Sequence, residues 1–406
     1  MAVPTTASHR TVAARGCPFA GNPSGAAPAV ATAAPAPHPV TVRALPGDPL
    51  AAARTVTREV RRNGKHALPA SLRHALAQLR RSSAAGPFAA AFLDCLLDKH
   101  DDRFHNRTYL ALALLEGILD DPRARLDPVH LSALLMADVV RFESRVAARP
   151  PRPGDDRPDR RTLRTRLAHA RRFLAACGVP DGAALPAPPA GELGDWFAMT
   201  VQPVSVVHDE YMFIRALQCH ELVFTGTAAR VRTATTALRA GEVASARWHV
   251  DSAVRDFERA SLLFRVVATM RPAAFHTFRE YTQGASAIQS VAYKRFEIAC
   301  GRPREERLRS DAFGNVPDVL AQAQAGPDDL TAAYLETRPA GGGREWDRLD
   351  AALRELERRH QKWKVTHHGL AARMLGEAAG SGYPEGVPYL RRCLDQRLFW
   401  QLPLAA

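Results

Sequence analysis

One stretch near the C-terminus constrains the fold more than any other. Between residues 345 and 376, Trp346, Leu349, Leu353, Leu356, His360, Trp363, His367, Leu370 and Met374 recur at steps of three and four. That spacing puts them on one face of a single long α-helix, and an apolar face of such length must be covered by other helices. Gly376 follows as a C-terminal cap, and the run Gly341, Gly342, Gly343 precedes as a loop. Two histidines on this face are out of character, and two readings stand. Each is either a hydrogen-bonded core histidine or a neutral imidazole that binds a haem iron axially, its apolar neighbours lying against the macrocycle.

The rest of the chain offers partners for that helix. A second helix is expected from His208 to about Ala240, with Asp209 and Glu210 in its first turn, where the helix dipole favours negative charge. A third runs from Val243 to about Met270 and stops at Arg271-Pro272. Upstream, Phe88, Phe92, Cys95 and Leu96 form an i, i+4, i+7, i+8 stripe, and the segments "RTYLALALLEGILDD" and "DPVHLSALLMADVVRF" have the same character. Alternating, strand-like runs are nearly absent. The expectation is an all-α chain: a helical bundle domain carrying the chemistry, with an additional N-terminal helical region. Residues 1–48, rich in Ala, Pro and Thr, read as a disordered tail, and the Cys17-Pro18 pair within it as chance. Residues 49–185 form the helical region, and 186–406 the chemical domain. Pro-rich breaks fall at 148–161 and 178–191.

Composition excludes several classes. No stretch of eighteen apolar residues occurs, so no membrane span is expected. Arg10 and Arg15 are not followed by an apolar segment, so neither is a secretory signal. The six cysteines lie far apart, without a CxxC pair, which argues against a zinc site or a disulfide framework and for a reducing cytoplasm. The net charge is +13, carried mostly by arginine. Its densest run, 160–172, has Leu163, Leu167 and Ala170 at helical spacing and reads as a solvated amphipathic helix. No nucleic-acid partner is expected.

Three ordered blocks then carry a family resemblance: "VVHDEYMFIRALQCHEL", "FHTFREYTQGASAIQSVAYKRFEIACG" and "WKVTHHGLAARMLGEAAGSGYPEGVPYLRRCLDQRLFWQLP". Over residues 192–403 or so, the chain resembles the tryptophan 2,3-dioxygenase family. The resemblance implies a cytoplasmic homotetramer that binds haem b, uses O2 as co-substrate and acts on L-tryptophan or a related aromatic amino acid. By it, His367 matches the proximal iron ligand, while His368 points elsewhere. Phe213 matches an aromatic wall over the substrate, and Arg279 the residue that grips the substrate carboxylate through its guanidinium fork. Ser381, with Gly382 beside it, takes the place of a family threonine that holds the substrate ammonium.

Four departures accompany the match. The family's distal histidine is Leu217 here, with His220 one turn further on. A family tyrosine near the carboxylate site is Phe275. The glycine-rich loop reads "GSGYPEG". The segment through which a neighbouring subunit lends a tyrosine is shortened to "GELGDWFAMTVQP", where Trp196 or Phe197 stands in. Dioxygenation of the indole C2–C3 bond is the first expectation. Monooxygenation of a tyrosine or tryptophan derivative is the second, and a non-catalytic haem protein the third.

Overall fold

A computed structural model describes residues 45–403 apart from 82–85, 99–104, 152–153, 283–286, 327 and 377–385. Among the described residues every regular element is helical, with no strand. The helices are α1 (Pro49–Asn63), α2 (Ala70–Arg81), α3 (Pro87–Leu97), α4 (Asn106–Tyr109), α5 (Leu112–Asp120), α6 (Pro128–Ala148), α7 (Arg160–Ala176) and α8 (Gly191–Met199). They continue with α9 (His208–Arg239), α10 (Val243–Val267), α11 (Pro272–Arg279), α12 (Val291–Cys300), α13 (Glu305–Leu308), α14 (Asp311–Gly314), α15 (Pro317–Gln324), α16 (Leu330–Thr337), α17 (Arg344–Leu375) and α18 (Val387–Cys393).

Many starts are written in the sequence. Asp127 accepts from the Val129 and His130 amides at 2.8 and 2.9 Å, with Pro128 in the first turn, and so launches α6. Asp159 and Asp329 cap α7 and α16 by the same chemistry. Gly376 ends α17 at φ 57°, a conformation that costs other residues a Cβ clash, and its amide donates to Ala372.

The centre is a helical hairpin. α9 and α10 pack along each other through the short turn after Arg239, and α17 lies along α10. On its other sides α9 meets α6, α11, α12 and α16, while α10 also meets α7. The N-terminal helices share their core with this hairpin: one cluster runs from Val56, Phe92 and Met136 to Met212, Leu263, Phe278 and Met374. A second gathers Phe224, Phe257, Phe296, Leu353 and Trp363. A small third one joins Tyr109 and Leu110 to Val201 and Ile214.

The run 160–172 is helix α7, and most of its arginines are exposed, as an amphipathic helix requires. Arg166 differs. It is fully buried, donating to Glu143 at 2.6 Å, Asp209 at 2.7 Å and the Thr269 hydroxyl at 2.9 Å. The described cysteines, Cys95, Cys177, Cys219, Cys300 and Cys393, are all free, and Cys17 lies outside the described residues. No described helix is long and apolar enough to cross a membrane.

Candidate active site

The three core clusters meet around a cavity of about 280 Å³. Helix α9 lines it with Phe213, Leu217, His220, Glu221 and Phe224, which fall on one face at steps of three and four. Helix α17 supplies Trp363, His367, Leu370 and Met374 from its stripe. Helix α11 supplies Phe275, Phe278 and Arg279. Six positions singled out in the sequence, Phe213, Leu217, His220, Phe275, Arg279 and His367, therefore open on one space. Ser381 and Gly382 lie outside the described residues.

The two histidines of α17 divide the two readings between them. His360 is buried, its Nε2 lies 2.8 Å from the Tyr293 hydroxyl, and its Nδ1 is 3.8 Å from Glu357. It is a core histidine. His367, two turns on, is half-buried and lies against rings: stacked on Phe264 at 5.6 Å and tilted against Trp363 at 5.5 Å. Burial, helped by the neighbouring His368, lowers its imidazole to about 4, so the ring is neutral at physiological pH and its lone pair is free of a proton.

His220 shares these neighbours, with Phe264 at 5.0 Å and Trp363 at 6.3 Å. Its Nδ1 bonds the Ala216 carbonyl at 3.1 Å, while its Nε2 is buried without a partner. Burial lowers this imidazole too, to about 4. It thus keeps company with His367 rather than with Phe213. Leu217 packs instead with the cluster of Tyr109, Val201 and Ile214, beside Phe213.

Phe213, Phe275 and Phe278 form an aromatic corner with ring centroids 5.3 to 5.9 Å apart. Arg279, the last residue of α11, stands at this corner, and burial lowers its guanidinium from the ordinary value. An apolar aromatic slot with one guanidinium at its edge suits a planar ring carrying a carboxylate.

Two walls escaped sequence reasoning. Asn106, Tyr109 and Leu110 of the N-terminal region line the cavity, and the Tyr109 hydroxyl reaches Glu210 at 3.4 Å. Trp196 and Phe197 do not line it: Trp196 stacks on Phe88 at 5.7 Å, and Phe197 lies under the Arg215 guanidinium at 4.9 Å. Tyr109, from the chain's own α4, is an aromatic residue of this wall. Only the apolar period of "RTYLALALLEGILDD" hinted at burial, and nothing in it hinted at a cavity.

The other wall is polar. Lys294 of α12, Arg307 of α13, Lys364 of α17 and Tyr389 of α18 all face the cavity. Arg307 donates to both oxygens of Glu297, at 3.1 and 2.8 Å, and to the Tyr389 hydroxyl at 3.0 Å. The wheel of α12 sets Lys294 between Glu297 and Ile298, the signal that could have revealed it.

No group of three or more His, Cys, Asp or Glu side chains able to hold a bare metal ion occurs among the described residues. The neutral imidazole of His367, with rings and aliphatic side chains around it, has the chemistry to ligate an iron held by a macrocycle. Two neutral, ring-packed histidines, His220 and His367, thus open on one aromatic cavity edged by arginine. A sequence model described as tryptophan 2,3-dioxygenase matches residues 198–325. A tryptophan 2,3-dioxygenase of Polaromonas sp. strain JS666 is 28% identical over 241 residues, covering 50% of this chain and 81% of its own. That of Burkholderia multivorans is 26% identical over 251 residues, covering 52% and 80%. That of Pseudomonas aeruginosa is 28% identical over 235 residues, covering 49% and 82%. Over this region the chain is similar to tryptophan 2,3-dioxygenases.

Proposed function

We propose that this chain is a haem-dependent dioxygenase that opens the indole C2–C3 bond of L-tryptophan or a tryptophan derivative. The observation that carries the reading is the meeting, in one cavity, of His367, the Phe213–Phe275–Phe278 corner and Arg279. In this reading residues 186–406 are the haem domain and 49–185 its helical annex, in a cytoplasmic homotetramer.

His367 holds haem b by its neutral imidazole, and the haem supplies activation of O2. The remaining work falls to the chain. Arg279 binds the amino-acid carboxylate, and Ser381 and Gly382 the ammonium. Phe213 and Phe275 hold the ring flat, and Leu217 closes the slot against water, so that the reacting carbons are held in place. Replacing His367 by Ala is expected to abolish or strongly shift the Soret band, whereas His368→Ala leaves it. Full haem retention in His367→Ala sinks the assignment.

Leu217 favours a second reading, monooxygenation of a tyrosine or tryptophan derivative. A leucine cannot take the indole proton, and the imidazole of His220 sits beside the rings that flank His367. Mass analysis of the product separates the readings by whether one or two oxygen atoms are gained.

A further inference from the structure

Lys294 is a buried cation held only by long contacts. Its residue is 2% exposed. Its ammonium has the Ile288 carbonyl at 3.5 Å and a Glu297 oxygen at 4.0 Å, both at the edge of reach. The Tyr293 ring lies 4.9 Å away. Glu297 is shared, since both its oxygens also accept from Arg307. Glu221 lies near enough to act on it, but burial raises that carboxyl to about 7. On this wall Lys364 is spent on the Cys393 carbonyl at 2.7 Å; Glu357, off the wall, accepts from Gln361 and from the Leu398 and Phe399 amides.

An ammonium taken from water and left so poorly bonded costs several kcal/mol, as a general rule, unless an anion completes it. Burial already pushes Lys294 down to about 8. Beside it stands a hydroxyl. The Tyr389 oxygen accepts from Arg307, and its hydroxyl also bonds the Cys393 side chain at the cavity's edge. Lys294 and Tyr389 both border the cavity, on α12 and α18, whereas Arg279 stands on α11 among phenylalanines.

We propose that Lys294, with Tyr389 and Arg307 behind it, seats the peripheral carboxylates of the haem, leaving Arg279 to the amino-acid substrate. The proposal rests on the haem reading above. It divides the cavity's two anion-binding corners between cofactor and substrate.

The test uses the full-length apoprotein, titrated with hemin and with hemin dimethyl ester, whose carboxylates are masked, and read by Soret absorbance. The wild type is expected to bind hemin more tightly than the ester by roughly ten- to a hundredfold, the worth of a hydrogen bond to a charged group. Lys294→Met and Lys294→Gln should shrink that preference severalfold or more, and Arg279→Ala should keep it. Circular dichroism checks folding of each variant, and the wild-type ratio needs no variant at all. Equal affinity for hemin and ester in the wild type overturns the proposal. So does an unchanged ratio in the folded Lys294 variants, or loss of the preference on Arg279→Ala, which puts the haem carboxylates at the α11 corner. Failure of the haem reading is distinguishable: it gives no Soret complex in the wild type, or an undiminished one in His367→Ala, and either result sinks both.

Discussion

Arg166 ties the N-terminal helices to the cavity-bearing hairpin, and replacing it by Met tests how much that tie is worth. The guanidinium is fully buried and joins Glu143 of α6 to Asp209 of α9 and to the Thr269 carbonyl after α10. Removing one partner of a buried ion pair costs about 3–5 kcal/mol, because the charge left behind remains desolvated. Here each carboxylate keeps a second cation or donor. Glu143 retains His208 at 2.8 Å, and Asp209 retains Arg271 at 3.0 Å. The loss should therefore sit near the lower bound, about 3 kcal/mol at neutral pH.

The pH dependence follows from the same contacts. Burial pushes both carboxyls up, but the His208 bond and the Arg166 charge on Glu143 outweigh it, as do the Arg166 and Arg271 charges on Asp209, so both are held below their usual values. Such groups contribute stability above their unfolded pKa and lose it as pH falls through the folded one. Without Arg166 burial gains the upper hand, both carboxyls rise, and acidification then relieves the variant while it weakens the wild type. The gap should narrow between about pH 7 and about pH 4. Guanidinium denaturation followed by far-ultraviolet circular dichroism measures it. A variant as stable as the wild type at neutral pH, or a gap that does not move with pH, refutes the reasoning.

Other outcomes are expected at the cavity. Arg279→Ala should weaken tryptophan binding by roughly two to three decades, the cost of unpairing a carboxylate in a dry slot, and should weaken an indole amine far less. Equal losses make Arg279 structural. Leu217→His should raise kcat/KM for L-tryptophan relative to 1-methyltryptophan, since a buried indole N–H without an acceptor costs about 1–3 kcal/mol. An unmoved ratio makes Leu217 mere filling. Light scattering at micromolar concentration should give at least a dimer, and a monodisperse monomer contradicts the homotetramer.

The long helices were legible because their periodicity and their punctuation agree. The starts of α9 and α10 fall where the acidic first turn and the turn after Arg239 put them, and Gly376 closes α17. A stripe, however, records burial and not what buries it. His360 and His367 look alike on the helical wheel, yet one faces Tyr293 and the other the cavity. Charged residues are harder still. Arg166 and Arg164 have the same neighbours in sequence, and only tertiary packing buries the first while it leaves the second exposed. Tyr109 was invisible for a related reason: its partner Glu210 and most of the cavity it lines lie far along the chain.

The short helix α4, which brings Asn106 and Tyr109 to the cavity, also sets what can be inherited or transplanted. The Pro-rich break at 178–191 looks like a seam where a gene might be divided. A fragment starting beyond it keeps every residue that resembles the family, but it is a vessel with one side missing. A change in the bulk of the ring bound near Phe213 would be answered by substitutions around Tyr109, more than a hundred positions upstream. Grafting experiments that swap only the C-terminal half between relatives should yield proteins that fold poorly or leak, until α4 travels with it.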